Sequence, residues 1–529
     1  QNVAAIADSF THFGQDNSAQ AHGSQHNDAA AKNHMPENRK EIAEKAPLTP
    51  KEAEDSHARE KANFLHLIKD HASDKAGQSK DAKIDSAQEK RIEKNVADFE
   101  KREKDLTEIY KKEILHDGKW LQDHKNLSPE QRNAEAAKDA HVRAETQMAE
   151  TYKHLSELLQ GTGKHPERVN QKQRQDICEQ ITQRAAHPEL IAQGDFDTCQ
   201  LTSMERRAFA RTPAEAARLI SEVALNGEYQ STKSHNKIKI DPQHIQGDGD
   251  KKTFANDGER CFADHIFIET AANIALKPKG LSYDRNQLID HNGKPMYIGN
   301  ESSPHFGSNP NLANEDLYKI DAEICTKPEE KPQTGWIFAG PSNYKQFVES
   351  CSSPEEMAKK MAAALDEGKG PLVLNVFMGP GGTSPHDLTV DSYYKAPGSN
   401  ALPLFNLDNN WTKEQDINHE SPYDLYKSLL YKNEFPATAD GGHKYFDNIQ
   451  NTLTSLEKQH NSGALSNEAY DDAIVSQLSA YNTVRLANLK NIDDKARKSV
   501  SLHLKNIMLS LKRGKAHDAI YSDGLWHEK

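Results

Sequence analysis

The chain is predicted to adopt an α+β fold, with one central globular segment held between helical flanks. Three observations predict it. Residues 165–440 hold most of the Gly, Pro and aromatic residues. The same segment contains short apolar runs of strand type, PLVLNVFMG at 371–379, HDLTVDSYY at 386–394 and LPLFNLDNNW at 402–411. On either side, residues 84–164 and 441–529 place apolar side chains at helical spacing between charged ones.

In the first flank, Ile92, Val96, Phe99, Leu106, Ile109 and Tyr110 share helical spacing, and the turn signal NLSPEQ follows. Ser128 supplies a cap and Pro129 a first-turn residue, so 84–164 is read as a helical hairpin. The second flank, 441–529, reads as a three-helix bundle. Residues 1–83, rich in Ala, Asn, Asp, Gln, His and Lys, are expected to be mostly disordered or low-complexity, with one short helix around Phe64, Leu65 and Ile68.

Composition narrows the partners. At 529 residues the chain exceeds a single core, and 35% hydrophobic against 28% charged residues implies that much of it lies outside one. The formal charge of −13 comes with Lys and Arg interleaved among Asp and Glu, which argues against nucleic acid. No apolar run reaches the roughly 18 residues of a membrane span, and no signal peptide is evident at the start. The expectation is a soluble protein, cytoplasmic or exported without a recognisable signal, whose first residue, Gln1, reads as a fragment end or a processed end. Five scattered cysteines match neither a disulfide framework nor a CxxC zinc site, and no cofactor or metal is expected.

The candidate chemistry starts at Cys199. In QGDFDTCQLTSMERRAFARTPAEAARLISEVAL (193–225), Thr198 stands where a helix cap belongs, and Met204, Phe209, Ala217, Leu219, Ile220 and Val223 give a buried face, with a break near Pro213. A thiol at a helix N-terminus meets unpaired N–H groups and the positive end of the dipole, which favour thiolate. Downstream, His386 opens a strand after a glycine-rich segment, and the neighbouring strand ends in Asp408 and Asn409 before Trp411. A carboxylate or amide there would accept the imidazole N–H and fix its tautomer.

Gln193-Gly194 six residues before Cys199 resembles the oxyanion segment of the papain-like cysteine peptidases. His386-x-Leu-Thr-Val followed by Asp408-Asn-x-Trp is similar to the double-glycine leader peptidases of that superfamily. The Cys-Gly-Ser-Cys-Trp signature is absent, so the resemblance is to a distant bacterial branch. It covers about residues 190–412. It implies a papain-like domain at 165–440 in which a helix carries the Cys and an antiparallel sheet carries His and Asp or Asn. It also implies Gln193 as oxyanion donor, Cys199 as nucleophile, His386 as base, and Asp408 as first choice of orienter with Asn409 as the alternative.

Cys261, ahead of an apolar run, is the rival nucleophile. His265 and Glu269 are one turn apart but lack a third ligand and the HEXXH pattern. GPGG at 379–382 lacks the rest of a phosphate loop, and GDGD at 247–250 lacks the rest of a calcium loop. The turn-rich stretch 278–335 reads as an insertion at the cleft, with Tyr297, His305 and Trp336 as pocket candidates.

The expected function is therefore a cysteine peptidase acting on a protein or peptide. A transglutaminase or glutamine deamidase would use the same residues. A helical scaffold with an inactive peptidase domain is the alternative from another class, the helical flanks then serving to dock a protein partner. An embedded peptidase domain between such flanks is an architecture of bacterial effectors and toxins.

Overall fold

The computed structural model describes residues 48–73, 83–193, 198–241, 261–284, 287–289, 292, 295–296, 310, 312–326, 332–339, 349–378, 384–395, 401–409, 417–430, 442–486, 493–511 and 513–522. These form a mixed α+β fold, mostly helical with small sheets.

The N-terminal helices are α1 (Pro50–Ala72), α2 (Ser86–Lys101), α3 (Glu103–His116), α4 (Gly118–Asp123) and α5 (Pro129–Gln160). The segment 1–83 thus contains a helix of 23 residues, longer than its composition implied. The signal is local: Thr49 and Glu52 form a capping box around Pro50. Ser128 and Gln131 do the same for α5, which Gly161 ends at φ 68, a conformation that glycine adopts without strain. Against α5 pack α1, α3 and a later helix at Pro213–Asn226.

The central helices are α6 (Gln171–Ala186), α7 (Cys199–Arg211), α8 (Pro213–Asn226), α9 (Phe262–Leu276), α10 (Asn314–Ile324), α11 (Pro354–Asp366) and α12 (Pro422–Ser428). A ribbon, β1 (Glu228–Gln230) with β2 (Lys237–Lys239), and a small sheet of β3 (Ser282–Asp284), β4 (Gln287–Ile289) and β5 (Pro295–Met296) lie among them.

The main sheet contains β6 (Ile337–Ala339), β7 (Glu349–Ser350), β8 (Leu372–Met378), β9 (Ser384–Tyr394), β10 (Leu404–Asp408) and β11 (Ile417–Glu420), in the order β11-β10-β9-β8-β6-β7. From β8 to β11 neighbours are antiparallel, whereas β6 runs parallel to β7 and β8. At its C-terminus the chain adds α13 (His443–Asn461), α14 (Asn467–Arg485), α15 (Asp494–Leu511) and the short α16 (Lys515–Ser522), one helix beyond the expected three.

One contiguous set of buried apolar side chains runs through all of these parts, from Phe64 on α1 through Leu374 on β8 to Ile520 on α16. The flanks therefore share the core of the central segment. At the N-terminal junction the Arg102 guanidinium donates to the carbonyls of Ala185, Phe209 and Ala210, and the Tyr110 hydroxyl donates to the Arg211 carbonyl. At the other end α14 packs on β11 and α12.

Candidate active site

Cys199 is the first residue of α7 and is 9% exposed. Thr198 occupies the N-cap position, but its hydroxyl makes no capping bond to the helix, unlike the cap read from the sequence. Pro213 begins the next helix, because α7 ends at Arg211. Gln193 is buried just upstream, and Gly194–Asp197 lie outside the described residues.

Burial of α7 on nearly all sides is the feature that sequence reading missed. Arg206, Arg207 and Arg211 are all buried. Arg207 binds Asp321 at 2.6 Å and the Pro371 carbonyl at 2.7 Å, with its guanidinium 4.2 Å from the Trp336 ring centroid. Arg211 pairs with Glu113 on α3 and donates to the carbonyls of Gly368 and Gly370. Arg206 pairs with Asp408 at the end of β10. Each guanidinium offers five donors in a fixed fork, so three of them tie the helix to loop carbonyls and carboxylates. Trp336, a pocket candidate by sequence, is instead a buried core residue. Tyr297 and His305 lie outside the described residues, as do GPGG and GDGD.

His386 is the third residue of β9 and is buried. Its Nε2 is 3.0 Å from the Asn409 Oδ1, so Asn409 and not Asp408 orients the ring. The cause is strand geometry. Consecutive residues of an extended chain point to opposite sides, so Asp408 and Asn409 cannot both face His386. Asp408 stands opposite Thr389, three residues and therefore one face away from His386, and there it meets Arg206. Burial pulls the His386 imidazole down to about 4, against the Asn409 bond, which favours the charged form. Next to it, burial pushes the Asp387 carboxyl up to about 7, against a bond from the Asn375 amide.

The register relates Cys199 to His386. Helix α7 packs on β9. Its C-terminal arginines hold the carbonyls of residues 368–371, which lead into β8 at the Val390 end of β9, so its N-terminus points toward the His386 end. Seven residues of helix separate Arg206 from Cys199, about 10 Å. Three residues of strand separate Thr389 from His386, also about 10 Å. Arg206, on the same side of α7 as Cys199, meets Asp408 on the face of β9 opposite to that of His386. Among the described residues the pairing of β10 with β9 stops at Asp408 opposite Thr389.

Cys261 precedes α9, buried against Arg184, whose Nη2 lies 3.5 Å from its sulfur and which also binds Asp264 at 2.7 Å. Burial pushes this thiol well above its ordinary value, although Arg184 pulls the other way. Burial raises the thiols of Cys178 and Cys325 too. None of the five cysteines is in a disulfide. His265 and Glu269 are buried on α9. No helix among the described residues is long and apolar enough to cross a membrane.

No family model matches the chain, and neither a curated protein nor a solved structure matches it.

Proposed function

We propose that the chain is a cysteine hydrolase of papain-like type that cleaves peptide or amide bonds. The observation that carries this reading is the bond between His386 Nε2 and Asn409 Oδ1, because an amide oxygen that accepts from one ring nitrogen sets the tautomer in which the other, Nδ1, can take a proton. Near pH 7 the buried imidazole is uncharged, the form that can accept a proton.

In the proposed cycle the Cys199 S–H proton passes to His386 Nδ1 as sulfur bonds to the substrate carbonyl carbon. The oxyanion is held by the Gln193 amide and the Cys199 backbone N–H. Its collapse breaks the C–N bond, and the amine leaves with the proton from His386. Water then repeats the sequence on the thioester, releasing the acid and restoring the thiol.

The test is mass spectrometry of a protein mixture incubated with the full chain and with Cys199→Ala. New peptide termini that need Cys199 support a peptidase. Conversion of glutamine to glutamate without chain cleavage would reassign the same residues to deamidation, and an isopeptide crosslink to transglutamination. If neither Cys199→Ala nor His386→Ala changes any product, and iodoacetamide labels Cys199 no faster than the other thiols, the hydrolase reading falls and the scaffold reading replaces it.

A further inference from the structure

We propose that the N-terminal helices bind a divalent transition-metal ion between Glu103, His141 and Glu145. One donor atom from each of these residues lies within 4.8 Å of the others. Glu103 begins α3, and His141 and Glu145 are one turn apart on α5, so the three donors converge from two packed helices. Donors this close need only small side-chain rotations to reach one ion at roughly 2.0–2.2 Å.

The surroundings are arranged as outer ligands are. His141 Nδ1 faces Glu103 at 3.0 Å while its Nε2 meets Glu54 of α1 at 3.0 Å. A ligating imidazole characteristically gives its other N–H to a carboxylate, which sets the tautomer. Glu145 Oε2 is held in turn by His57 Nδ1 at 2.7 Å, and His57 Nε2 meets Glu100 at 3.0 Å. Four carboxylates, Glu54, Glu100, Glu103 and Glu145, thus meet two imidazoles, and Lys61 neutralises Glu100.

The donor set selects the class of ion. An imidazole nitrogen with two carboxylates suits Zn2+, Mn2+ or Fe2+, whereas Ca2+ and Mg2+ prefer oxygen alone. Binding displaces a proton from His141 Nδ1 and keeps the one on Nε2 for Glu54, so the ion competes with protons for the same nitrogen. Three protein donors leave further positions for water.

The test uses the full chain, stripped with a chelator and titrated with ZnCl2 by calorimetry, with CoCl2 followed by visible absorption as a second probe. The expected result is one ion per chain and a melting temperature raised by a few degrees at a hundredfold excess over Kd. His141→Asn and Glu145→Gln should abolish saturable binding, while His57→Gln, which touches only an outer partner, should weaken it by roughly 10–100-fold. Circular dichroism of the metal-free variants checks their fold, and Glu103→Gln, at a part-exposed carboxylate, gives the same reading should His141→Asn not fold. Absence of saturable Zn2+ and Co2+ binding, or equal binding by the full chain and the Glu103→Gln variant, overturns the proposal and leaves the cluster as protonated histidines bridging carboxylates.

Discussion

Arg206 and Asp408 form a buried ion pair that ties the helix beginning at Cys199 to the strand end that presents Asn409. Through this one contact the proposed nucleophile and the partner of the proposed base are held in a common frame. Leaving either charge buried alone costs about 3–5 kcal/mol. Arg206→Met or Asp408→Leu alone should therefore lower the stability measured by urea denaturation by that amount. The double variant should recover much of the loss. Additive losses would show that the two charges do not act on each other.

Asn409 rather than Asp408 holds the imidazole, so Asn409→Ala should reduce hydrolysis while leaving the unfolding midpoint close to that of the parent. Positioned general acid–base groups contribute about 10²–10⁴-fold, and loss of the acceptor should remove at least tenfold of that from kcat/KM. Asn409→Asp, which restores an acceptor, should rescue part of it. An equal rate for Asn409→Ala and the parent would remove the orienting role.

Cys261 should be dispensable. Its thiol is buried against Arg184, and iodoacetamide should label it only under denaturing conditions. Cys261→Ala should keep the hydrolytic rate within about twofold, and Cys199→Ala should abolish it. The opposite pattern would move the nucleophile to α9.

The low value of His386 sets the acid limb of the rate profile. With the imidazole pulled down to about 4 by burial, the neutral base is present from about pH 5 upward. Hydrolysis should persist at pH 5.5, where an exposed histidine of ordinary value is mostly charged. An acid limb between pH 6 and 7 would mean that water reaches the ring.

His57 gives a stability signal of the opposite sign. Burial alone would lower it, but bonds to Glu100 and Glu145 outweigh that and raise it to about 9. A raised folded-state value stabilises fully below the ordinary 6.5 and is lost as pH rises through 9, a contribution on the order of 3 kcal/mol. With chelator present, the thermal midpoint should fall between about pH 6.5 and 9, and His57→Gln should flatten that slope. An unchanged slope would assign it to other groups.

How far the sequence could be read depends on the range of the forces involved. The helix from Cys199, its break at Pro213 and the strands over 372–378, 384–394 and 404–408 follow from spacing and turn residues, which act locally. The choice between Asp408 and Asn409 does not, because it depends on strand register, and a shift of one residue reverses every side chain. The buried arginines of α7 were also hidden, since Arg207 and Arg211 bind main-chain carbonyls about 160 positions away and Arg206 pairs with Asp408 on a distant strand. Glu103, His141 and Glu145 look like surface charges until the helices pack. The helix at 50–72 was the exception, because Thr49, Pro50 and Glu52 announce it in plain sight.

The continuous core carries a consequence for how such a chain can change over time. Because Phe64, Leu374 and Ile520 belong to one set of packed side chains, neither flank is a cassette that recombination could exchange without exposing the apolar wall it covers. A change to the buried face of either flank is therefore met by the same core that carries Leu374 of β8 beside the strand that holds His386.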